Sequence, residues 1–463
     1  MSEEMKTLRK QLLRDSRSGY DVLEEAQLRQ MEDYCADYKA FLGNKTERLS
    51  ARAAIAAAEA HGFVEYRRGM ALEAGDKVYT CNRGKGLMLA VMGRESMAEG
   101  VQIAAAHIDS PRLDLKPNPL YEDSELAYFK THYYGGIRKY QWVTIPLQLQ
   151  GVVVKKDGTA VEVCIGEKGE PQLVITDLLP HLGGEQGKKP LSEAIPAETL
   201  NILLGSRPIG DEDDSDRVKL HVMKRLYDKY GITEADFASA ELEAVPAADA
   251  VDIGIDGSMI GSYGHDDRVC GYAALHALLE LDAPAKTAVC VLADKEEIGS
   301  MGVTGMQSAV FETFLSDLCD SQNVPLKVCF ENSFCLSADV TAAYDPNFAD
   351  VFDKKNAAFL NHGVGLCKYT GARGKSGSSD AGAETVAYVR SLLDGAGVRW
   401  QICELGKVDA GGGGTVAQYM ANRNIATLDA GVPVLSMHAP FEVVAKLDCY
   451  EMYRACKAIY EAR

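Results

Sequence analysis

The chain contains no run of about eighteen consecutive apolar residues, so no membrane-spanning helix is expected. Its opening stretch, MSEEMKTLRKQLLRD, has no apolar core of the kind a secretory leader needs. A cytoplasmic protein is the reading that follows. Twelve cysteines are present, but none stand in a C-x-x-C pair. That spacing argues against zinc ribbons and against a disulfide framework. Cys290 and Cys329 lie inside apolar runs, where reduced thiols act as small hydrophobes. Positive charge is also short: 49 Lys+Arg face 67 Asp+Glu, a net charge of −18. Such a balance repels phosphate backbones, so nucleic acid is not an expected partner. Internal repeats and low-complexity segments are lacking. Gly411 to Gly414 form a glycine run before Thr415, without the G-x-x-x-x-G-K-[ST] spacing of a phosphate loop. A close backbone approach to substrate, or a flexible turn, is the reading kept for it.

What is present divides the chain. At 463 residues it exceeds one ordinary core. Leu23, Leu28, Met31, Tyr34 and Tyr38 recur at helical spacing, and an Ala-rich helix is expected after Asn44 and Thr46. Residues 113–251 have a different texture, with alternating apolar segments between Gly and Pro turns, as in a β-rich module. An acidic surface loop is expected within it at residues 210–216. From Gly254 onward strands alternate with helices. Strands are expected at 289–293, 328–330, 400–403 and 432–435, and a helix at 269–281. Such alternation implies an α/β fold with a mixed, largely parallel sheet sandwiched by helices. The expected organisation is one α/β domain, residues 1–112 and 252–463, interrupted by a β-rich module at 113–251.

Four apolar runs end in side chains that ligate metals. They lead to His107 and Asp109, to Glu296 and Glu297, to Asp339, and to His438. In open α/β sheets, functional groups gather beyond the carboxyl ends of the strands, so the four ends should share one pocket. Asp266 and Asp267 open an apolar helix whose mouth faces the same way. Each piece alone has an ordinary explanation, such as a solvated turn or a helix cap. Their joint occurrence after apolar runs does not. Two imidazoles and three carboxylates suit a pair of zinc-type divalent ions, with cobalt or manganese as alternatives. One carboxylate must bridge the ions and one must stay free to take a proton.

These motifs resemble the aspartyl aminopeptidase and vacuolar aminopeptidase I family of metallopeptidases. The resemblance rests on Ala106-His107-Ile108-Asp109-Ser110-Pro111, Asp266-Asp267-Arg268, Asp294-Lys295-Glu296-Glu297-Ile298-Gly299-Ser300, Ser337-Ala338-Asp339-Val340 and Ser436-Met437-His438. It extends to Lys45-Thr46-Glu47-Arg48 and so covers nearly the whole chain. It implies a hydrolase that removes N-terminal residues from peptides. One ion would be held by His107 and Asp339, the other by Glu297 and His438, with Asp266 bridging. Glu296 would be the general base and Asp109 would orient His107. The resemblance further implies a cis peptide after Asp266 and a tetrahedral dodecamer built from dimers through the inserted module. It also implies a histidine, best matched by His181, that reaches into a neighbouring subunit. Lys368, Arg373 and Lys375 are the candidates for an acidic-specificity pocket, although the segment around them departs from the acidic-specific members. A two-metal deacylase on the same fold and a catalytically silent assembly protein are the alternatives.

Overall fold

The computed structural model describes residues 2–14 and 17–463. Its centre is a nine-stranded mixed sheet. Val101–His107 lies between Thr287–Ala293 and Phe334–Ala338, parallel to both. Ala426–Gly431 continues the parallel run beside Phe334–Ala338. Antiparallel neighbours flank this core: Gly86–Val91 pairs with Thr287–Ala293, and Val364–Cys367 with Ala426–Gly431. Ala104 and Ala106 enter one apolar cluster, while Ile103 and Ala105 enter another. Alternate side chains on a strand point to opposite faces. The sheet is therefore buried on both sides, which explains why its strands read as continuous apolar runs. Helices His265–Leu279 and Lys446–Tyr460 cover one face, and Val310–Asp320 covers the other.

A second sheet has six strands and is antiparallel. Arg112–Asp123 pairs with Leu126–Tyr134 and with Ala240–Pro246, and Leu147–Val154 extends it. It has its own apolar core, with Leu113, Phe129, Trp142, Leu149 and Phe237 buried. The polar loop at 210–216 is largely exposed, and Arg217–Tyr230, a helix not expected from the sequence, follows it. Thr46 caps the helix Glu47–Ala60 by accepting the Leu49 N–H at 3.3 Å.

Two expectations need correction. Residues 328–330 are not a strand but part of the helix Leu326–Glu331, which Pro325 introduces. A short apolar run fits either state, and a proline at the first turn favours the helix. The strand follows instead, at Phe334–Ala338. Residues 432–435 do not join the central sheet. Pro433–Leu435 belongs to a third, five-stranded sheet, antiparallel to Glu442–Ala445 and parallel to Thr341–Ala342. Its turn, rather than a central strand end, carries His438. No helix among the described residues is long and apolar enough to cross a membrane.

Candidate metal centre

His107 is the last residue of a central strand, and its parallel register with Ala293 brings the Glu296 turn alongside. Glu296 and Glu297 open a short 3-10 turn after Lys295, which is left-handed at φ +66°. Asp266 and Asp267 lie at the start of a buried helix and are joined by a cis peptide. Asp339 follows the strand Phe334–Ala338. These elements meet with His438 around one point.

Asp266 stands between the two imidazoles. One of its carboxylate oxygens lies 3.2 Å from His107 Nε2, and the other lies 3.1 Å from His438 Nε2. Glu297 Oε2 lies 3.6 Å from His438 Nε2, and Glu296 Oε2 lies 3.8 Å from His107 Nε2. Candidate donor atoms of His107, Asp266 and Glu297 all fall within 4.8 Å of one another, as do those of His107, Asp267 and Asp339. His107 therefore belongs to two overlapping donor groups.

The electrostatics call for cations. Asp109, Asp266, Asp267, Glu296, Glu297 and Asp339 crowd a space shared with the two imidazoles. Burial pushes the Glu297 and Asp339 carboxyls well above their ordinary range, and neighbouring carboxylates add to this. Burial opposes ionisation of Asp266 too, but hydrogen bonds from both imidazoles hold it well below its usual value. Glu297 Oε1 and Asp267 Oδ1 are buried without a hydrogen-bond partner. An orphaned buried carboxylate oxygen costs free energy unless something positive meets it. Divalent ions held by N and O donors answer both problems, so the residues present fit the group.

Glu296 is pushed up to about 7. Burial is the main cause, Asp109 and Asp266 reinforce it, and His107 opposes it. The Glu296 carboxylate stands beside both donor groups without belonging to either, the placement general-base work needs. Asp109 is fully buried and accepts the Tyr134 hydroxyl at 2.8 Å. It also accepts the backbone N–H of Glu297 at 3.3 Å. His107 Nδ1 meets the Asp109 carbonyl at 2.9 Å and its carboxylate at 3.3 Å. Glu442 is a contributor that sequence reasoning missed. It accepts the backbone N–H of His438 at 2.7 Å and that of Asp266 at 3.1 Å. Tyr134 was missed likewise. Both act on backbone groups or through Asp109, so no ligand spacing marks them.

A cavity of about 410 Å³ opens over these residues. Asp266, Glu296, Glu297, Asp339 and His438 line its charged end, and Val340, Cys367, Leu405 and Met437 form its apolar wall. Gly412 to Gly414 line it as well. Lys368, Arg373 and Lys375 are exposed and are not among the lining residues. Lys375 pairs instead with Asp380 at 3.1 Å and lies over the Tyr369 ring. His181 sits on an exposed loop of the six-stranded module and does not line the cavity of its own chain.

Residues 44–460 match the family model described as aminopeptidase I zinc metalloprotease, M18. The chain belongs to the M18 family of aminopeptidases. A probable M18 family aminopeptidase 1 of Clostridium acetobutylicum is 48% identical over 95% of this chain and 97% of its own. One of Thermotoga maritima is 44% identical over 93% of this chain and 96% of its own. The crystal structure of an M18 aminopeptidase from Thermotoga maritima superposes with a TM-score of 0.93, covering 97% of this chain and 99% of that one at 42% identity. Aminopeptidase I from Clostridium acetobutylicum gives 0.92, over 97% and 100% of the two chains at 44% identity. This M18 chain is accordingly a zinc metalloaminopeptidase, a hydrolase acting at peptide N-termini.

Proposed function

We propose that this aminopeptidase works with two zinc-type ions per subunit, Asp266 bridging them, and Glu296 as general base. The single observation that carries this reading is Asp266 reaching both imidazoles, at 3.2 and 3.1 Å, with Glu296 beside them. His107 and Asp339 would hold one ion, and Glu297 and His438 the other. Bound divalent ions lower the pKa of water toward neutrality and polarise a carbonyl. Glu296 takes the proton of the attacking water and returns it to the leaving amine. Asp109 holds His107 in place during this exchange.

The cavity supports a neutral N-terminal residue rather than an acidic one. Its apolar wall offers Val340, Leu405 and Met437, and no lysine or arginine lines it among the described residues. An acidic side chain would enter unpaired, which is costly in a buried pocket.

The module of residues 113–251 serves as the oligomerisation domain of this proposal, with residues 1–112 and 252–463 as the catalytic domain. Leu178, Leu179 and Leu182 stand exposed around His181, an apolar edge suited to a neighbouring subunit. A relative from Saccharomyces, 21% identical, is described as a dodecamer. In the proposed assembly His181 enters a neighbour's cavity and stabilises the developing oxyanion.

The test is metal analysis combined with activity on aminoacyl anilides, with and without chelator. Two zinc-type ions per subunit, faster cleavage of leucyl than aspartyl anilide, and loss of activity with chelator are expected. Activity on N-acylated amino acids but not on free-amine substrates would reject the aminopeptidase mechanism in favour of a deacylase.

A further inference from the structure

Two residues at the edge of the six-stranded module reach the imidazoles, Tyr134 through Asp109 and Gly136 directly. Tyr134 ends the strand Leu126–Tyr134 and donates its hydroxyl to Asp109, whose carboxylate faces His107 Nδ1. Two residues on, the Gly136 carbonyl lies 2.8 Å from His438 Nδ1. We propose that Tyr134-Gly135-Gly136 is a positioning clip that orients His107 and His438 for their metal ions. The proposal rests on the two-metal reading given above.

Imidazole chemistry supplies the reason. A carbonyl oxygen only accepts, so Gly136 obliges His438 to carry its proton on Nδ1. Nε2, which faces Asp266 and Glu297, is then the atom that would give up its proton to offer a lone pair to a bound ion. His107 is treated alike, with Nδ1 against the Asp109 carbonyl and Nε2 toward Asp266. The phenol of Tyr134 adds one charge-assisted bond that keeps Asp109 from rotating away.

The two glycines let the clip come this close. Gly135 has φ +73°, and a Cβ there would stand 3.3 Å from Glu297 Cβ. A Cβ at Gly136 would stand 3.3 Å from His438 Nδ1. The clip is also anchored from behind. The Arg112 guanidinium lies 3.9 Å from the Tyr134 ring centroid. It is fixed in turn by Asp114, Glu243 and Glu47 at 2.8, 3.2 and 3.3 Å. Glu47 belongs to the helix Glu47–Ala60, outside the module, so the module's edge is tied to that helix at this point.

The experiment measures zinc affinity by competition with a chromophoric chelator, using the full-length assembly. Tyr134→Phe keeps the ring and removes the hydroxyl, Gly136→Ala crowds His438, and Tyr133→Phe on the exposed neighbour serves as control. Tyr134→Phe and Gly136→Ala should each bind zinc roughly 10–100-fold more weakly. In Tyr134→Phe, kcat should fall with little change in KM. The control should bind zinc as wild type does. Wild-type zinc affinity in both clip variants would overturn the clip and leave the two-metal reading standing. A wild-type protein that takes up no zinc would overturn both. If Tyr134→Phe does not fold, the affinity of Gly136→Ala decides alone.

Discussion

The backbone N–H of Glu296 donates to Asp109 Oδ1 at 3.1 Å. The side chain that faces His107 therefore also fixes the turn carrying the proposed base. Burial opposes ionisation of Asp109, but the His107 imidazole and the Tyr134 hydroxyl hold it below the usual carboxylate range. Asp109→Ala removes the carboxylate that faces the imidazole, leaving only the backbone carbonyl contact, and frees the turn at once. Zinc affinity should fall roughly 10–100-fold. The loss in kcat should exceed what zinc saturation restores, because Glu296 is displaced as well. Full recovery at saturating zinc would show that Asp109 acts on the metal alone.

Glu296→Gln separates binding from chemistry. The amide keeps the shape of the side chain but accepts no proton. Loss of a positioned general base costs about 10²–10⁴-fold in rate. Metal content should stay at the wild-type level, since Glu296 is not among the assigned ligands. Hydrolysis near the wild-type rate would remove Glu296 from its role.

Gly431 is placed where the central sheet meets Asp339. A Cβ there would stand 1.6 Å from the Asp339 carbonyl oxygen and 2.4 Å from its carbonyl carbon. Those are backbone atoms, so the strand end must move if the side chain is to fit. Gly431→Ala should cost about 3 kcal/mol or more in folding free energy, as severe overpacking does. It should also lower the zinc content of the purified protein, because Asp339 moves with its backbone. Unchanged urea midpoint and full zinc content would contradict the close approach.

The sequence made the candidate ligands legible for a physical reason. Strands buried on both faces read as unbroken apolar runs, so a His or Asp at the end of one stands out. His107, Glu297 and Asp339 follow that logic, and the structure brings them together with Asp266 and His438. His438 was found by a partly wrong route. Pro433–Leu435 has only three residues and pairs with nearby Glu442–Ala445 and distant Thr341–Ala342, and nothing in its composition tells which sheet it joins. The stretch around Tyr134 reads only as a turn, and Glu442 carries no ligand spacing, because both act through hydrogen bonds rather than as metal donors. The helix Arg217–Tyr230 was hidden by its polarity, with Val218 and Leu226 its only buried residues. Arg268, a motif residue, turns out to brace the turn before Asp266. Its guanidinium donates to the carbonyls of Gly264, Tyr263 and Asn44 at 3.0, 2.7 and 2.6 Å.

His265 gives the fold a pH dependence separate from catalysis. It is fully buried, with Nε2 at 3.2 Å from the Ile260 carbonyl and Nδ1 at 2.7 Å from the Tyr38 hydroxyl. The carbonyl needs a donor, so Nε2 carries the proton and Nδ1 accepts from Tyr38. The neutral ring is thus fully satisfied. Burial, with the nearby Arg268 charge, lowers its pKa to about 3, against an ordinary 6.5. Below pH 6.5 the unfolded chain takes up a proton that the folded chain refuses. Stability from this group is therefore complete above 6.5 and is lost as pH falls toward 3. Each pH unit within that window costs up to about 1.4 kcal/mol. His265→Gln removes the titration, so it should be less stable than wild type at pH 7, and the gap should narrow by about 2 kcal/mol at pH 5. Urea unfolding of both zinc-free proteins at the two pH values measures this. A gap that stays constant would mean that the buried imidazole does not titrate as its surroundings require.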